Sequence, residues 1–265
     1  MRKRLLIIVL ILALAGVSGG VGVWYLWQEN RVFDGVSLIY KGIQYLATYT
    51  QEPVQVAFLL ITQDSCSAQS SNDLSSVELF SPGGARVEID DYSIESLKNP
   101  SLWSGYALCK IHGSFTPNLP VGRTETFTHL QVDGKEYEIG SVTVEVVNNN
   151  DYRLGRGSSS LHVENSYNLT VINDEDTPID VVSVVYVLDM KQTNLMDQPV
   201  TVQPGEEKEL FFSVPGFHEK NVTVRPVITL RVQGEEVALL PPVATEYTMS
   251  LSKEEVIDYI EKTGS

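Results

Sequence analysis

Residues 5–27, LLIIVLILALAGVSGGVGVWYLW, run without a charge directly after Met1-Arg2-Lys3-Arg4. No folded core tolerates such a segment at its very start without either burying it or losing it. A helix of that length covers roughly 34 Å, enough to cross a hydrocarbon core of about 30 Å with some tilt. Basic residues stay on the cytoplasmic side, so Arg2, Lys3 and Arg4 place the N-terminus inside. Trp24, Tyr25 and Trp27 close the outer end, where amphipathic rings suit the headgroup level. The reading is a single-pass signal-anchor: 1–4 a cytoplasmic tail, 5–27 a transmembrane helix, and the bulk of the chain extracellular. The competing reading is a cleaved signal peptide, with Leu5 to Leu12 as its apolar region and Ala13-Leu14-Ala15 as its cleavage site. The apolar run resumes at Val21 and ends in aromatics, which favours the anchor. Both readings export everything after residue 27. Gly16 and Gly20 form a GxxxG, which suits close helix packing; glycines are also simply common in membrane helices.

The remaining 238 residues suffice for two ordinary domains. They carry 16 basic against 34 acidic residues. Such an acidic surface argues against nucleic acid or anionic lipid as partners. The two cysteines, Cys66 and Cys109, form an even pair in an exported chain, the usual setting of a disulfide. Closing that 44-residue loop stabilises a fold by about 4 kcal/mol in the chain-entropy account. Cys109 and His112 do not make a copper site, because the other histidines (His129, His162, His218) are scattered along the chain.

Residues 28–35 leave the membrane as a polar stalk. From there to residue 150 the pattern is short strands and turns, a first β-sandwich domain. Val54 to Thr62 is apolar and β-rich, 63–76 a polar loop with Cys66, Tyr92 to Gly105 irregular, and Tyr106 to Ile111 a strand with Cys109. Thr124 to Val147 is a hairpin turning at Asp133-Gly134, because both central positions favour φ > 0. The segment Leu130 to Glu136 (LQVDGKE) is echoed by Leu230 to Glu236 (LRVQGEE), which suggests two copies of one domain type or two solutions to one hairpin. Asn148 to Ser160, rich in Asn, Gly and Ser, reads as the linker.

Residues 151–250 form the second β-sandwich domain. Strands are expected at Asn168 to Asn173, Val181 to Leu188, Pro199 to Gln203, Glu209 to Val214, Val222 to Val232 and Glu236 to Thr248. That density is the pattern of an antiparallel sandwich. The order NLTVINDEDTPIDVVSVVYVL, PVTVQPGEEKELFFSVP, VTVRPVITLRVQGEEV resembles the immunoglobulin-like modules repeated in bacterial and archaeal surface proteins, CARDB-type domains among them. The shared features are an acidic turn before Pro178, the Pro204-Gly205-Glu206 turn and the closing hairpin. The resemblance covers residues 160–250. It implies an extracellular stalk, adhesion or assembly module and carries over no site residue. Residues 251–265 close the chain as a short helix, with Ser252 and Glu255 as a capping box and Leu251 and Val256 as a staple. It packs on its own domain or docks on a neighbouring subunit.

The fold class is therefore all-β: two tandem antiparallel immunoglobulin-like sandwiches behind an N-terminal transmembrane helix, with a short C-terminal α-helix. No G-x-S-x-G, H-E-x-x-H or phosphate-binding glycine loop is present. The chain reads as no enzyme, with neither catalytic nor metal residues and no cofactor. Asn148 to Asp151 and Asn173 to Asp176 offer hard oxygen ligands, yet neither has calcium-loop spacing and such runs are ordinary turns. Asn168 and Asn221 head glycosylation sequons. Val56 to Ile61 and Val181 to Leu188 are apolar on both faces, so their outer sides need cover, from elsewhere in the chain or from a partner. The expected function is non-enzymatic: a membrane-anchored surface protein for binding, adhesion or envelope scaffolding. Its alternatives are a subunit of a surface filament and an accessory subunit of a membrane complex. A protein partner or self-assembly is expected, with no nucleic acid.

Overall fold

A computed structural model describes residues 32, 35–64, 66, 69–70, 76–99, 104–148, 159–162, 166–188, 191–213, 222–241, 244–246 and 251–263. The expected transmembrane helix at 5–27 and most of the linker lie outside these residues. Among the described residues no helix is long and apolar enough to cross a membrane.

The described chain is mostly strand. It runs β1 (Ser37–Tyr40), β2 (Gly42–Tyr49), β3 (Val54–Thr62), β4 (Gln69–Ser70), β5 (Val77–Phe80), β6 (Arg86–Glu88) and β7 (Asp90–Lys98). Then come β8 (Ala107–Phe115), β9 (Thr124–Val132), β10 (Lys135–Val147), β11 (Ser159–His162), β12 (Ser166–Ile172) and β13 (Ile179–Leu188). Last are β14 (Lys191–Asn194), β15 (Val200–Val202), β16 (Glu207–Ser213), β17 (Val222–Arg225), β18 (Val227–Val232), β19 (Glu235–Leu239), β20 (Ala244–Glu246) and the helix α1 (Lys253–Thr263).

Four sheets result. The first has the order β1-β3-β8-β7-β4, the second β20-β17-β2-β10-β9-β5-β6, and the third β11-β12-β16. The fourth runs β14-β13-β18-β19, with β15 also on β13. The first two sheets enclose one core, with Val56, Phe58, Ile111, Phe115, Phe127, Leu130 and Val144 inside. The third and fourth enclose another, with Tyr167, Leu169, Val181, Val184, Phe212, Ile228 and Leu230 inside.

Two hairpins follow directly from their turn residues. Asp133 and Gly134 hold φ of 50° and 79°, and Val132 pairs with Lys135. Gln233 and Gly234 hold 52° and 90°, and Val232 pairs with Glu235. The echo between the two segments is thus a shared turn geometry with the same pairing at the same offset.

The chain enters the first sandwich by changing sheets. β1 pairs antiparallel with β3, whereas β2 pairs parallel with β10, and Lys41 is the one residue between them. At the crossing Gly42 faces Gly140, which has φ of +84° and sits inside a register shift of β10. A Cβ on Gly140 would collide with the Gly42 backbone, so both the conformation and the close approach require glycine there. Leaving the ladder also strands backbone polar groups. The Tyr259 hydroxyl of α1 meets this need: it donates to Ile39 O at 3.0 Å and accepts from Lys41 N at 2.9 Å.

α1 begins with the expected capping box, Glu255 N donating to Ser252 Oγ and Ser252 N to Glu255 Oε2. It lies on the outer face of the first sheet, not on the sandwich that precedes it in sequence. Leu251, Val256 and Ile260 pack with Leu59, Ile61, Tyr106 and Leu108. The doubly apolar strand β3 is thereby covered by its own chain. One expectation is corrected: Tyr92 to Gly105 is not irregular throughout, because β7 occupies Asp90–Lys98. Tyr92 and Ile94 point into the core, but Asp91 has φ of 43° and the pairing with β8 shifts twice, which erases alternation from the sequence.

Gly140→Ala is expected to destabilise the fold by about 3 kcal/mol, through strained φ and the clash at Gly42. Tyr259→Phe keeps the ring against Tyr40 yet unpairs Ile39 O and Lys41 N, at a cost of about 2 kcal/mol. Urea unfolding at neutral pH checks both, and a change below a few tenths of a kcal/mol would contradict these roles.

Candidate functional site: the junction of the sandwiches

β2 is enclosed by parallel neighbours, β10 on one side and β17 on the other. β17 comes from the region after residue 221, so the two halves of the chain share one sheet. The segment expected as one strand from Val222 to Val232 is in fact broken at Pro226. Proline lacks an N–H and cannot continue a ladder. Before it, β17 lies in the second sheet; after it, β18 lies in the fourth.

Sharing a sheet gives β2 two buried faces. Leu46 points into the first core. Tyr45, fully buried, belongs to the second core with Val224, its direct neighbour on β17. Ala47 packs with Val147 and Leu240. The end of the junction is tied by charge. Arg225 Nη1 donates to both Glu52 carboxylate oxygens at 3.1 Å, and Arg225 Nε donates to Pro241 O at 2.9 Å. Glu52 also accepts from Tyr49 N, and Leu240 N donates to the Tyr49 hydroxyl. Arg225 keeps only 17% of its side-chain exposure, so this pair, in which Nη1 is shared between both carboxylate oxygens, is better shielded than a surface bridge.

Beside the junction opens a cleft of about 560 Å³. β9 and β10 line it with Thr124, Glu125, Thr126, Thr143 and Glu145; β13 and β14 contribute Val187 and Gln192. Thr126 and Thr143 hydroxyls share a hydrogen bond at 2.9 Å. The Tyr45 hydroxyl reaches from the second core and donates to Glu145 Oε2. Glu125 has no partner among the described residues. Among the described residues the cleft therefore presents two carboxylates, hydroxyls and an amide, and none of its lining side chains is a cation.

Burial, then the nearby Glu145 charge, push the Tyr45 phenol far above its ordinary value of 10.0. A raised acid pKa means stability that is present below the unfolded value and lost as pH rises beyond it. Elsewhere, the Lys41 ammonium bonded to Glu138 holds that exposed carboxyl below its usual range.

The residues singled out by sequence fall elsewhere. Cys66 and Cys109 lie at disulfide distance, Cα–Cα 5.9 Å, tying the loop after β3 to β8. Asn168 sits half-buried in mid-strand on β12, opposite Phe211. Asn221 lies outside the described residues. Asn173 is buried as a turn staple: Nδ2 donates to Thr177 O and Val202 O, and Oδ1 accepts from Glu175 N. His112 Nε2 shares a hydrogen bond with Ser93 Oγ, and His129 lies on another strand. Among the described residues no three His, Cys, Asp or Glu side chains gather as metal ligands. The cleft residues carried no motif; the only trace in sequence was the Thr and Glu repetition of β9 and β10.

No protein-family model matches the chain. No curated protein matches it either. Among solved structures, it is similar to the chaperone–tip adhesion subunit pre-assembly complex from archaic chaperone-usher Csu pili of Acinetobacter baumannii. The identity is 11%, over 78% of this chain and 98% of the other, with a TM-score of 0.21. A likeness of that size carries no inference about function.

Tyr45→Phe is expected to flatten the alkaline limb of stability. Wild type should lose stability progressively above about pH 10, where the unfolded phenol ionises and the buried one does not. Unfolding free energies measured from pH 8 to 11 check this; identical slopes in both proteins would contradict it.

Proposed function

We propose that the chain is a non-enzymatic, membrane-anchored protein working outside the cell. In this reading its two immunoglobulin-like sandwiches form a single rigid bracket that receives a protein partner. The observation that carries the reading is the strand shared across the junction. Two lobes joined only by a linker move independently. Two lobes that share a sheet, a buried tyrosine and a shielded Arg225–Glu52 pair hold the cleft between them at fixed width. A preformed cleft of this kind loses little freedom on binding.

The N-terminal apolar run and its basic flank support the anchor and the outward orientation. The cysteine pair suits an oxidising exterior. Among the described residues Glu125 is an unmatched acceptor and no cation lines the cleft, so the partner should present basic or hydroxyl-bearing side chains. That choice follows from electrostatic complementarity.

The test is the native mass of the full-length protein, gently extracted from its own membranes, with co-purifying chains identified by mass spectrometry. The reading predicts a stoichiometric protein complex. Glu125→Lys should reduce the co-purified partner by about ten-fold, since a like charge placed in the cleft opposes a basic partner, while leaving the melting temperature unchanged. Recovery of a solitary monomer, or of a hydrolytic turnover by the purified protein, would contradict it.

A further inference from the structure

β16 is the last strand of the third sheet. It pairs with β12 on one side and with no described strand on the other. Its side chains alternate: Leu210 and Phe212 are each 8% exposed, whereas Phe211 between them is 66% exposed. Among the described residues the only other large apolar side chain so exposed is Val121, at 47%. Open edges are normally blunted by charge, proline or a bulge. Here the charges are confined to the first half of the strand, Glu207, Lys208 and Glu209, and the second half is Leu210-Phe211-Phe212-Ser213.

Such an edge can be completed by its own copy, and the sequence limits how. Directly opposed residues in an antiparallel pair share a face. Keeping Leu210 and Phe212 on the core side in both copies therefore requires that one residue oppose itself across the two-fold axis. An axis at Glu209 sets two carboxylates against each other. An axis at Lys208 opposes two ammonium groups and sets Glu207 against Glu209. Like charges directly opposite are destabilising. An axis at Leu210 puts Lys208 against Phe212 and Glu209 against Phe211. An axis at Phe211 brings the two exposed aromatics together, sets Leu210 against Phe212 and Glu209 against Ser213, and opposes no like charges.

We propose that two copies of this chain pair edge to edge through β16, antiparallel about Phe211, so that two three-stranded sheets become one of six strands. Phe211 is the contact that selects the register, and Leu210 and Phe212 extend the two cores toward each other. The surface lies apart from the cleft, so a copy and a different partner can be held at once.

Cross-linking of the full chain in mild detergent reads the contact directly. In Glu209→Cys/Ser213→Cys the two positions oppose each other between copies, while within one strand they are too far apart to bond. Mild oxidation should convert most of this protein to a disulfide-linked dimer that reductant dissolves. Glu209→Cys alone should give about ten-fold less, since a single introduced cysteine then faces a serine. Adding Phe211→Asp to the double variant should also lower the yield by about ten-fold, by opposing carboxylates at the axis. Val121→Asp should leave it unchanged. Phe211 is exposed, so its substitution leaves the core intact, and circular dichroism confirms the fold of each variant. Absence of the linked dimer in a folded double variant, or equal yield with Phe211→Asp, overturns the proposal. The cleft reading is tested separately, because Glu125→Lys should not alter the cross-link.

Discussion

Everything in the described structure leans on β2, an eight-residue strand with parallel neighbours on both sides. A strand packed between two cores must present apolar side chains on both faces. β2 satisfies this by giving Leu46 to one core and Tyr45 to the other. The sheet change at Lys41, the Gly42–Gly140 approach and the Tyr259 hydroxyl all serve to deliver β2 to that position. Together they hold β1 in the first sheet and β2 in the second.

The consequence for function is mechanical. Two consecutive strands, β17 in the first sandwich and β18 in the second, with only Pro226 between them, convert a bead-and-string arrangement into a bracket. The Arg225–Glu52 pair and the Tyr49–Leu240 bond close its inner corner, and Tyr45 couples the second core to the cleft wall through Glu145. β9 and β10 are thus linked to the second sandwich through packed side chains. α1 works from the opposite face, returning the end of the chain to the sheet that starts it.

Much of this was readable wherever a local rule governs. Asp133-Gly134 and Gln233-Gly234 set their turns through φ, the capping box of α1 through its own side chains, and β3 through its β-branched run. The double apolar faces of β3 signalled a need for cover from the chain or from a partner, and α1 supplies it from within the chain. What escaped was non-local. β1 and β2 were not singled out as strands: β1 is only four residues long, and β2, buried on both faces, shows no alternation. β7 was hidden by its two register shifts. Val222 to Val232 read as one strand straight through Pro226, and nothing local tells that the two pieces join different sheets. The cleft was illegible for the same reason: Glu125, Thr143, Glu145, Val187 and Gln192 are gathered by topology and share no motif.

β17 is part of the first sandwich's sheet, which should make the two halves one cooperative body. Native-state hydrogen exchange of the amides in Gly42–Tyr49 and Val222–Arg225 tests it most directly. Both sets are expected to exchange only through global unfolding, with the same free energy and the same denaturant dependence. Early exchange of Val222–Arg225 through a local opening, while Gly42–Tyr49 stays protected, would contradict it.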